Sequence, residues 1–551
     1  MGRPISIGQY LIQECYRRGA RHVFGVPGDY VLEFDALVEK GPIEFVGMTR
    51  EDCAGLAADA YARLRGLGVA CVTYCVGGLS LTNAVAGAWA EKSPVLVISG
   101  APGVAERARD PLLHHRVRDF STQREIFSHI TAAVASLDDP ATAYQEVDRV
   151  LHAIERYKRP GFIELPRDRV HVARAHRPHL PTLEEMTDAD ALSECIAEAV
   201  GMINCAKRPV ILADAEVHRF GLQAALLELA AKTRIPVAAT LLGKSVFSER
   251  HPLYLGIYEG AMGRDEVRRY VESADCLIML GCLMSDINLG IFTAHLDPDR
   301  AVYATSEKLM VRRHRYENVP FRSFFKALLK APLHRRAAPK LPAHPPAWGR
   351  TPAPDSRVTV RALFQAVNEF LADDMVVISD IGDALFAAAD LTIHRRTEFL
   401  SPAYYASMGF AVPASIGAQL ADRNLRPLVL VGDGAFLMTG MELATSARRG
   451  LNPIVIVLNN HGYGTERLIK EGPFNDIAEW EYCRLPELLR SGRAFHVRTV
   501  AELRAALDAA LRNTKSYSLL EVELAAGDIS PALQRLGARL AQRVEGKAKQ
   551  G

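Results

Sequence analysis

PLVLVGDGAFLMTGMELATSARRGLNPIVIVLNN, residues 427–460, has the clearest pattern of secondary structure in the chain. Its apolar runs PLVLV and PIVIVL have the length of strands, and residues 436–449 between them have helical spacing. This order predicts a β-α-β unit in a parallel sheet. Because the crossover is right-handed, both strands end at the same edge of the sheet, where open α/β folds bind ligands. We therefore expect Asp433 and Asn460, which follow the two strands, to face one ion.

The polar residues at these strand ends suit a diphosphate that is held by magnesium. Mg²⁺ takes about six oxygen ligands and shares them with water and substrate phosphates. Asp433, Asn460 and the backbone carbonyl of Gly462 would supply three of them, and Gly432 and Gly434 would let the backbone approach the anion. Gly-Asp-Gly alone also fits an ordinary strand-to-helix turn. The Asn-Asn pair after a further 24 residues favours the diphosphate site.

Composition excludes several classes of protein. The chain has 551 residues, enough for about three domains, and its 49% apolar and 24% charged residues are typical of a globular protein. Lys and Arg (66) nearly balance Asp and Glu (64), which argues against binding to nucleic acid or to an anionic membrane. The first residues lack the basic and apolar regions of a signal peptide, and no apolar run of about 18 residues occurs, so we expect a cytoplasmic protein. The nine cysteines form no Cys-x-x-Cys set, which argues against zinc and a disulfide framework.

Strand and helix patterns alternate in three regions of the chain, which is typical of doubly wound parallel sheets. Seven prolines between residues 331 and 354 are incompatible with a regular helix and indicate a linker. The sequence therefore predicts an α/β fold with three doubly wound parallel-sheet domains. The predicted boundaries are residues 1–175 for an N-terminal domain, 190–330 for a central domain, 331–357 for the Pro-rich linker, 358–535 for the C-terminal diphosphate domain and 536–551 for a flexible basic tail.

Three polar features of the N-terminal region could carry chemistry. Asp29 follows a predicted strand in GVPGDY, Glu51 opens a predicted helix, and His114 and His115 are adjacent in PLLHHRVRDF. Each also has an ordinary explanation. Asp29 could cap a turn, Glu51 could interact with the helix dipole, and neighbouring histidines are often incidental surface residues.

Taken together, the motifs identify a family. GVPGDY, EDCAGLAADAYARLRG, AVAGAWAEKSPVLVISGAP, LLHH, GDGAFLMTGMEL and NNHGYGTERLI occur in this order along nearly the whole chain. The chain resembles the thiamine diphosphate-dependent 2-keto acid decarboxylases, in particular the pyruvate, indolepyruvate and phenylpyruvate decarboxylase group. The resemblance implies that thiamine diphosphate and Mg²⁺ are the cofactors. It also implies an N-terminal domain that binds the cofactor's pyrimidine, a central domain, and a C-terminal domain that binds its diphosphate.

The resemblance also implies roles for individual residues. Glu51 would hydrogen-bond the pyrimidine N1′ and exchange a proton there. Met408 would hold the cofactor in its bent shape, and the Ala406 carbonyl would accept the pyrimidine amine. The diphosphate and metal set would comprise Gly432, Asp433, Gly434, Ala435, Asn460 and Gly462, with Asp433, Asn460 and Gly462 on the metal. The catalytic set would comprise Glu51, Asp29, His114, His115 and Glu466.

Four residues of the resemblance would line the substrate pocket, namely Ile381, Leu385, Thr465 and Ile469. Leu385 stands where the pyruvate-specific enzymes carry Trp, which opens volume and keeps the wall apolar. Thr465 adds a polar group where the family usually has Ile or Val. From the volume opened at Leu385 we expect a larger hydrophobic or aromatic 2-keto acid, of the phenylpyruvate or indolepyruvate type, to be decarboxylated to its aldehyde and CO₂.

Several alternatives stay open at this stage. The chain could be a pyruvate decarboxylase, or a carboligase of the acetolactate synthase or benzaldehyde lyase type. A flavin-dependent pyruvate oxidase would need a dinucleotide site, and residues 190–330 contain no G-x-G-x-x-G. A non-enzymatic assembly subunit would be expected to lack some of the polar residues that are present here. The family also implies a homodimer or homotetramer with the cofactor between subunits.

Overall fold

A computed structural model describes residues 4–174, 187–342, 348, 352–393 and 399–537. Three large β-sheets with flanking helices account for most of the secondary structure. The fold class predicted from the sequence, three doubly wound α/β domains, is confirmed. Several helices begin at a side chain that caps the first turn, since the Ser6, Asp188, Thr359 and Thr499 side chains each accept a hydrogen bond from a backbone N–H of that turn.

The N-terminal sheet has six parallel strands. In spatial order these are Glu44–Gly47, His22–Gly25, Gly68–Val72, Val95–Ala101, Gly161–Pro166 and Val134–Ser136. The helices of this region are Ile7–Arg17, Leu32–Glu39, Glu51–Arg65, Val76–Ser80, Thr82–Ala90, Val104–Arg107, Thr122–Ser128 and Ala143–Tyr157. A small antiparallel pair joins Ile5–Ser6 to Ala173–Arg174. The central strands are buried along their whole length, as expected where helices cover both faces of a parallel sheet.

The central sheet has seven strands. In spatial order these are Tyr254–Ile257, Val237–Ala239, Pro209–Ala213, Cys276–Leu280, Ala301–Ala304, Leu309–Val311 and His314–Tyr316. The first five are parallel, whereas the last two form an antiparallel extension that the sequence analysis did not predict. The helices here are Ala189–Cys205, Ala215–Arg219, Gln223–Thr233, Asp265–Glu272 and Phe321–Lys330, with a 3₁₀ turn at Pro298–Arg300.

The C-terminal sheet has six parallel strands. In spatial order these are Phe399–Leu400, Met375–Ser379, Arg426–Gly432, Ile454–Asn459, Ser518–Glu523 and Arg493–Val497. The helices of the region are Val360–Phe370, Asp383–Ala388, Ala411–Ala421, Asp433–Thr439, Leu443–Arg448, Gly464–Ile469, Leu485–Leu489 and Val500–Arg512, with 3₁₀ turns at Gly440–Glu442, Pro473–Asn475 and Tyr482–Arg484. Gly432 lies opposite Leu458 across two neighbouring strands, so the ends of these strands are adjacent as the sequence predicted.

The helical pattern of residues 436–449 is not one helix. It divides into Asp433–Thr439 and Leu443–Arg448, with the 3₁₀ turn Gly440–Glu442 between them. Gly440 is a poor helix former, and it stands where the first helix ends. The amphipathic spacing survives the break, which is why the sequence pattern alone suggested a continuous helix.

The chain folds as two compact units. One comprises residues 1–184, 412–425 and 439–451, and the other comprises residues 185–411, 426–438 and 452–551. The domain boundaries drawn from the sequence remain predictions. Residues 331–342 of the predicted linker form no helix or strand, whereas residues 343–347 and 349–351 of the linker and residues 538–551 of the predicted tail lie outside the described residues. No described helix is both long enough and apolar enough to cross a membrane.

Candidate active site

A cavity of about 370 Å³ lies at the carboxyl edge of the C-terminal sheet. Three neighbouring parallel strands, Met375–Ser379, Arg426–Gly432 and Ile454–Asn459, end beside it. The segments that follow these strands contribute most of its wall, comprising Ile381, Gly382, Asp383, Ala384, Phe386, Gly432, Asp433, Gly434, Ala435, Leu458, Asn460, Gly462, Tyr463, Gly464, Thr465, Glu466 and Ile469. This is the edge at which open parallel sheets bind their ligands.

Asp433 follows its strand directly and is almost completely buried, with 1% of its surface exposed. One carboxylate oxygen accepts a hydrogen bond from the Gly434 N–H at 2.7 Å. The other accepts from the N–H groups of Asn460 and Gly462, both at 3.1 Å. Burial raises the pKa of Asp433, and the backbone N–H groups act in the opposite direction. The carboxylate thus links the ends of two strands where the sequence predicted a metal.

The two adjacent asparagines have different surroundings. The Asn459 side chain donates to Glu521 Oε1 at 3.0 Å and is buried away from the cavity. Asn460 lines the cavity, and among the described residues its carboxamide has no hydrogen-bond partner. Gly462 has a φ of 151°, and a Cβ on it would lie 2.3 Å from the Asn475 carbonyl oxygen. Only glycine fits there, and the loop that follows Asn460 depends on it.

These groups fit a magnesium ion bound to a diphosphate. The cavity wall offers a carboxylate, an unpartnered carboxamide and the backbone of Gly462, which together match the oxygen ligands that Mg²⁺ prefers. A buried carboxylate with a raised pKa is also a group that a cation would stabilise.

Ala406 and Met408 lie on the wall of the same cavity. Ala406 has a φ of 58°, a left-handed conformation that costs a residue with a side chain about 1–3 kcal/mol and is often found at functional sites. The nearby turn is held by Asp380, a fully buried residue that the sequence analysis missed. Its carboxylate accepts hydrogen bonds from the Ile381, Gly409 and Ala411 N–H groups, and burial raises its pKa to about 6.

The structure brings four more predicted residues to this cavity, namely Ile381, Thr465, Glu466 and Ile469. Leu385 departs from the prediction. It is 0% exposed and packs in the hydrophobic core, whereas its neighbours Ala384 and Phe386 line the cavity. Leu385 lies on the helix Asp383–Ala388, where successive side chains point in different directions, and sequence alignment to a family position does not reveal which of them faces the cavity.

Six further wall residues were also missed. Asp286, Ile287 and Ile291 come from a loop of the central region, and Ile529, Leu533 and Leu536 come from the segment after the last strand. They are distant in sequence from the diphosphate motif, and no local pattern marks them. Ser530 connects this segment to the wall, because its backbone N–H donates to Asp383 Oδ2 at 2.8 Å and its hydroxyl donates to Asp383 Oδ1.

Asp29, His114 and His115 form a cluster in the first unit. His114 Nε2 lies 2.7 Å from Asp29 Oδ2, and His115 Nε2 lies 3.8 Å from Asp29 Oδ1. The Tyr30 ring stacks on His114 with 4.8 Å between ring centroids. All three side chains of the cluster are at least 32% exposed, so they remain accessible for proton transfer or for binding an anionic group. The assignment of these three residues to the catalytic set, together with Glu51 and Glu466, remains a prediction.

Glu51 begins the helix Glu51–Arg65 and is half-buried. The backbone just before it is anchored by Glu442, a buried residue of the same unit that the sequence analysis missed. Glu442 Oε1 accepts from the Thr49 N–H at 3.1 Å, and Oε2 accepts from the Thr49 hydroxyl. Glu51 and the histidine cluster belong to the first unit, whereas Asp433 and Glu466 belong to the second.

Comparison with known proteins gives a consistent result. Three family models match, described as thiamine pyrophosphate enzyme, N-terminal TPP binding domain (residues 5–123), central domain (residues 196–331) and C-terminal TPP binding domain (residues 380–522). The indole-3-pyruvate decarboxylase of Azospirillum brasilense is 37% identical over 540 residues, which cover 96% of this chain and 97% of that protein. The alpha-keto-acid decarboxylase of Mycobacterium leprae is 35% identical over 545 residues, which cover 96% and 95%.

Proposed function

The chain belongs to the thiamine pyrophosphate enzyme family as a thiamine diphosphate-dependent 2-keto acid decarboxylase, and on this premise we propose that it acts on large aromatic 2-keto acids of the indolepyruvate or phenylpyruvate type. The apolar wall of the cavity supports this proposal. Besides the family positions, Ile287, Ile291, Phe386, Ile529, Leu533 and Leu536 face the cavity. The Azospirillum relative, which is named for indole-3-pyruvate, points to the same class of substrate.

The size of the expected preference follows from burial. An aromatic side chain buries about 150–250 Å². At about 25 cal/mol per Å² this corresponds to about 4–6 kcal/mol as an upper bound, and the methyl group of pyruvate gains only a small part of it. Since part of the ring stays exposed in a partly open cavity, we expect kcat/KM for indolepyruvate to exceed that for pyruvate by about 100-fold, which corresponds to about 3 kcal/mol.

We assign the cofactor contacts from the residues on the wall of the cavity. Asp433, Asn460 and Gly462 would hold Mg²⁺, and the backbone of residues 432–435 would bind the diphosphate. Met408 and Ala406 would support the pyrimidine side. When bound, thiamine diphosphate supplies the electron sink that makes loss of CO₂ possible. The protein then has to bind the substrate, exclude water and move protons at defined atoms.

Three acidic residues would transfer protons, and two histidines would bind the substrate carboxylate. Glu51 would exchange a proton with N1′ of the pyrimidine. Glu466, on the cavity wall, would protonate the substrate-derived carbon after CO₂ leaves, and Asp29 would take part in product release. His114 and His115, which are close to Asp29, would orient and balance the charge of the substrate carboxylate.

We further propose that a complete site needs two copies of the chain, with Glu51 from one and Asp433 from the other. The placement of these residues in different compact units is compatible with this assignment. Hybrids of a Glu51→Gln chain and an Asp433→Asn chain, co-expressed with two different tags, test it. A site shared between copies leaves one intact site in each hybrid dimer, so activity returns. Inactive hybrids would place Glu51 and Asp433 of the same chain in one site.

A panel of 2-keto acids tests the substrate. Aldehyde release from indolepyruvate, phenylpyruvate and pyruvate is followed with an alcohol dehydrogenase and NADH in the presence of thiamine diphosphate and Mg²⁺. The proposal fails if pyruvate has the highest kcat/KM. Product analysis separates the main alternative, because a carboligase would yield hydroxyketones in place of free aldehyde.

A further inference from the structure

A second cavity, of about 130 Å³, lies in the second unit and shares none of its wall residues with the catalytic cavity. Its wall combines residues 249–264 of the central region with residues 389–392 and Arg535. At about 30 Å³ for each water molecule of the liquid, the space corresponds to about four waters. The wall carries three carboxylates and two guanidinium groups, which makes it more strongly charged than a gap in the core needs to be.

Among the described residues of this wall, Glu259 is the buried carboxyl without a hydrogen-bond partner. It is 5% exposed, and its Oε1 atom has no hydrogen-bond partner among the described residues. A buried carboxyl without a partner is unusual in a native structure, because no hydrogen bond offsets the loss of its hydration. Burial raises the pKa of Glu259 to about 7, and the charge of Arg535 acts in the opposite direction.

Arg535 offers the complementary donors on the same wall. Its Nε donates to the Met262 carbonyl at 2.7 Å, and among the described residues this is the one hydrogen bond that its guanidinium makes. The remaining N–H groups of the guanidinium are thus available to a carboxylate, which an arginine can bind through two parallel hydrogen bonds.

The other charged groups around the cavity satisfy one another. Glu249 pairs with the buried Lys244 at 2.7 Å and also accepts from the Ile393 N–H at 2.9 Å. Asp390 pairs with Arg264 at 2.7 Å. What remains unsatisfied is one carboxyl and one guanidinium on the wall, and with Lys244, which pairs with Glu249 beside the wall, the acidic and basic groups number three each.

This arrangement discriminates among ligand classes. The three carboxylates of the wall do not converge on a common point as metal ligands do. Among the described residues, the group whose ligand atoms converge in this way is Asp29, His114 and His115. A simple anion would face three carboxylates, and a simple cation would face the arginines. A zwitterion leaves the charge balance unchanged and can satisfy both open groups. We propose that this cavity binds a small α-amino acid, with its ammonium on Glu259 and its carboxylate on Arg535.

The walls of the two cavities are continuous along the chain. Residues 389–392 directly follow the helix Asp383–Ala388, which lines the catalytic cavity, and Arg535 lies between Leu533 and Leu536, which line it too. An amino acid that holds Arg535 in place also restrains these two wall segments. We therefore expect it to change the KM for the 2-keto acid substrate, so that the cavity serves as a regulatory site.

Calorimetric titration of the holoenzyme tests the binding. Alanine is compared with ethylamine and propionate, which each reproduce one half of it. Alanine should bind saturably, and neither half should bind at the same concentrations. Glu259→Gln, which removes the charge and keeps the shape, should weaken alanine binding by about 30-fold or more. Glu228→Gln, at an exposed glutamate of the same region, serves as the matched control and should bind alanine normally.

The proposal is overturned if alanine does not bind, if propionate binds as well as alanine, or if Glu259→Gln binds alanine normally. A fold defect would not explain lost binding, because removing an unpaired buried charge should leave the unfolding midpoint at pH 8 equal to or above that of the wild type. Saturating alanine should change the KM of the wild type and not that of Glu259→Gln. An unchanged wild-type KM would refute the regulatory role.

Discussion

The adjacent residues Asn459 and Asn460 allow a sharp test of the proposed magnesium site, because they have opposite surroundings in the structure. Asn459 makes a buried hydrogen bond to the Glu521 carboxylate, whereas the Asn460 carboxamide lines the cavity without a protein partner. Replacing Asn459 with Ala should therefore lower the free energy of unfolding, and replacing Asn460 with Ala should weaken the binding of thiamine diphosphate and Mg²⁺. The same chemical change is made at both positions, so each variant is the control for the other.

The magnitudes follow from the contacts. A hydrogen bond to a charged group contributes about 1.5–3 kcal/mol, so Asn459→Ala should lower the free energy of unfolding by about that amount. At 100 times its dissociation constant a ligand stabilises the folded state by about 2.7 kcal/mol. If loss of the Asn460 ligand weakens cofactor binding about 100-fold, the stabilisation at the same concentration falls to about 0.4 kcal/mol.

The assay is the midpoint of thermal unfolding with and without thiamine diphosphate and Mg²⁺, at one scan rate. Both residues lie in the second unit, which has about 340 residues, and in a unit of that size 1 kcal/mol shifts the midpoint by about 1–2 °C. The wild type and Asn459→Ala should show the full ligand-induced increase, and Asn459→Ala should start from a lower midpoint. Asn460→Ala should start near the wild type and gain little. A full ligand-induced increase in Asn460→Ala, or its loss in Asn459→Ala, would refute the assignment.

Three further predictions concern other charged groups. Glu51→Gln should lower turnover by about 100-fold or more and keep the thermal shift caused by thiamine diphosphate and Mg²⁺, and residual wild-type turnover would contradict the role of Glu51 in proton exchange. Lys244→Met leaves the buried Glu249 carboxylate without its ion-pair partner, so the free energy of unfolding from denaturant titration should fall by about 3–5 kcal/mol. Adding Glu249→Gln should recover part of this loss, and no loss would mean that the pair is solvated. Burial raises the pKa of Asp383 from its ordinary 3.8 to about 6, so the folded form binds this proton more tightly and the free energy of unfolding should fall as pH rises between these values. In a plot of the unfolding midpoint against pH, Asp383→Asn should lack this contribution to the slope. A slope identical to that of the wild type would contradict the prediction.

Local sequence patterns were sufficient for the fold class and for one half of the site. The β-α-β unit around Asp433 could be predicted because buried parallel strands are continuous apolar runs and their connection has a fixed hand. The same rules place Asn460 beside Asp433, and the structure has both on one cavity wall. The break at Gly440–Glu442 and the antiparallel edge of the central sheet escaped prediction, because amphipathic spacing does not distinguish them from regular elements.

The position of Leu385 shows where sequence reasoning fails. The family position suggested a pocket residue, but the helix that carries Leu385 turns its side chain into the core and presents Ala384 and Phe386 to the cavity. Asp380 and Glu442 were missed for a related reason. Each buried carboxylate acts by accepting hydrogen bonds from segments distant in sequence, and those partners become neighbours only in the folded chain.

Short motifs at the ends of strands were enough to predict the class of fold and the cofactor family, and they supplied the residues that we propose to bind the diphosphate. The folded chain was needed to show which side chains form the apolar wall of the 370 Å³ cavity and to show the unpartnered Glu259 on the same cavity wall as Arg535. Burial, an unsatisfied hydrogen-bonding group and the proximity of two charged side chains depend on how segments distant in sequence pack together. The order of residues along one segment does not contain them.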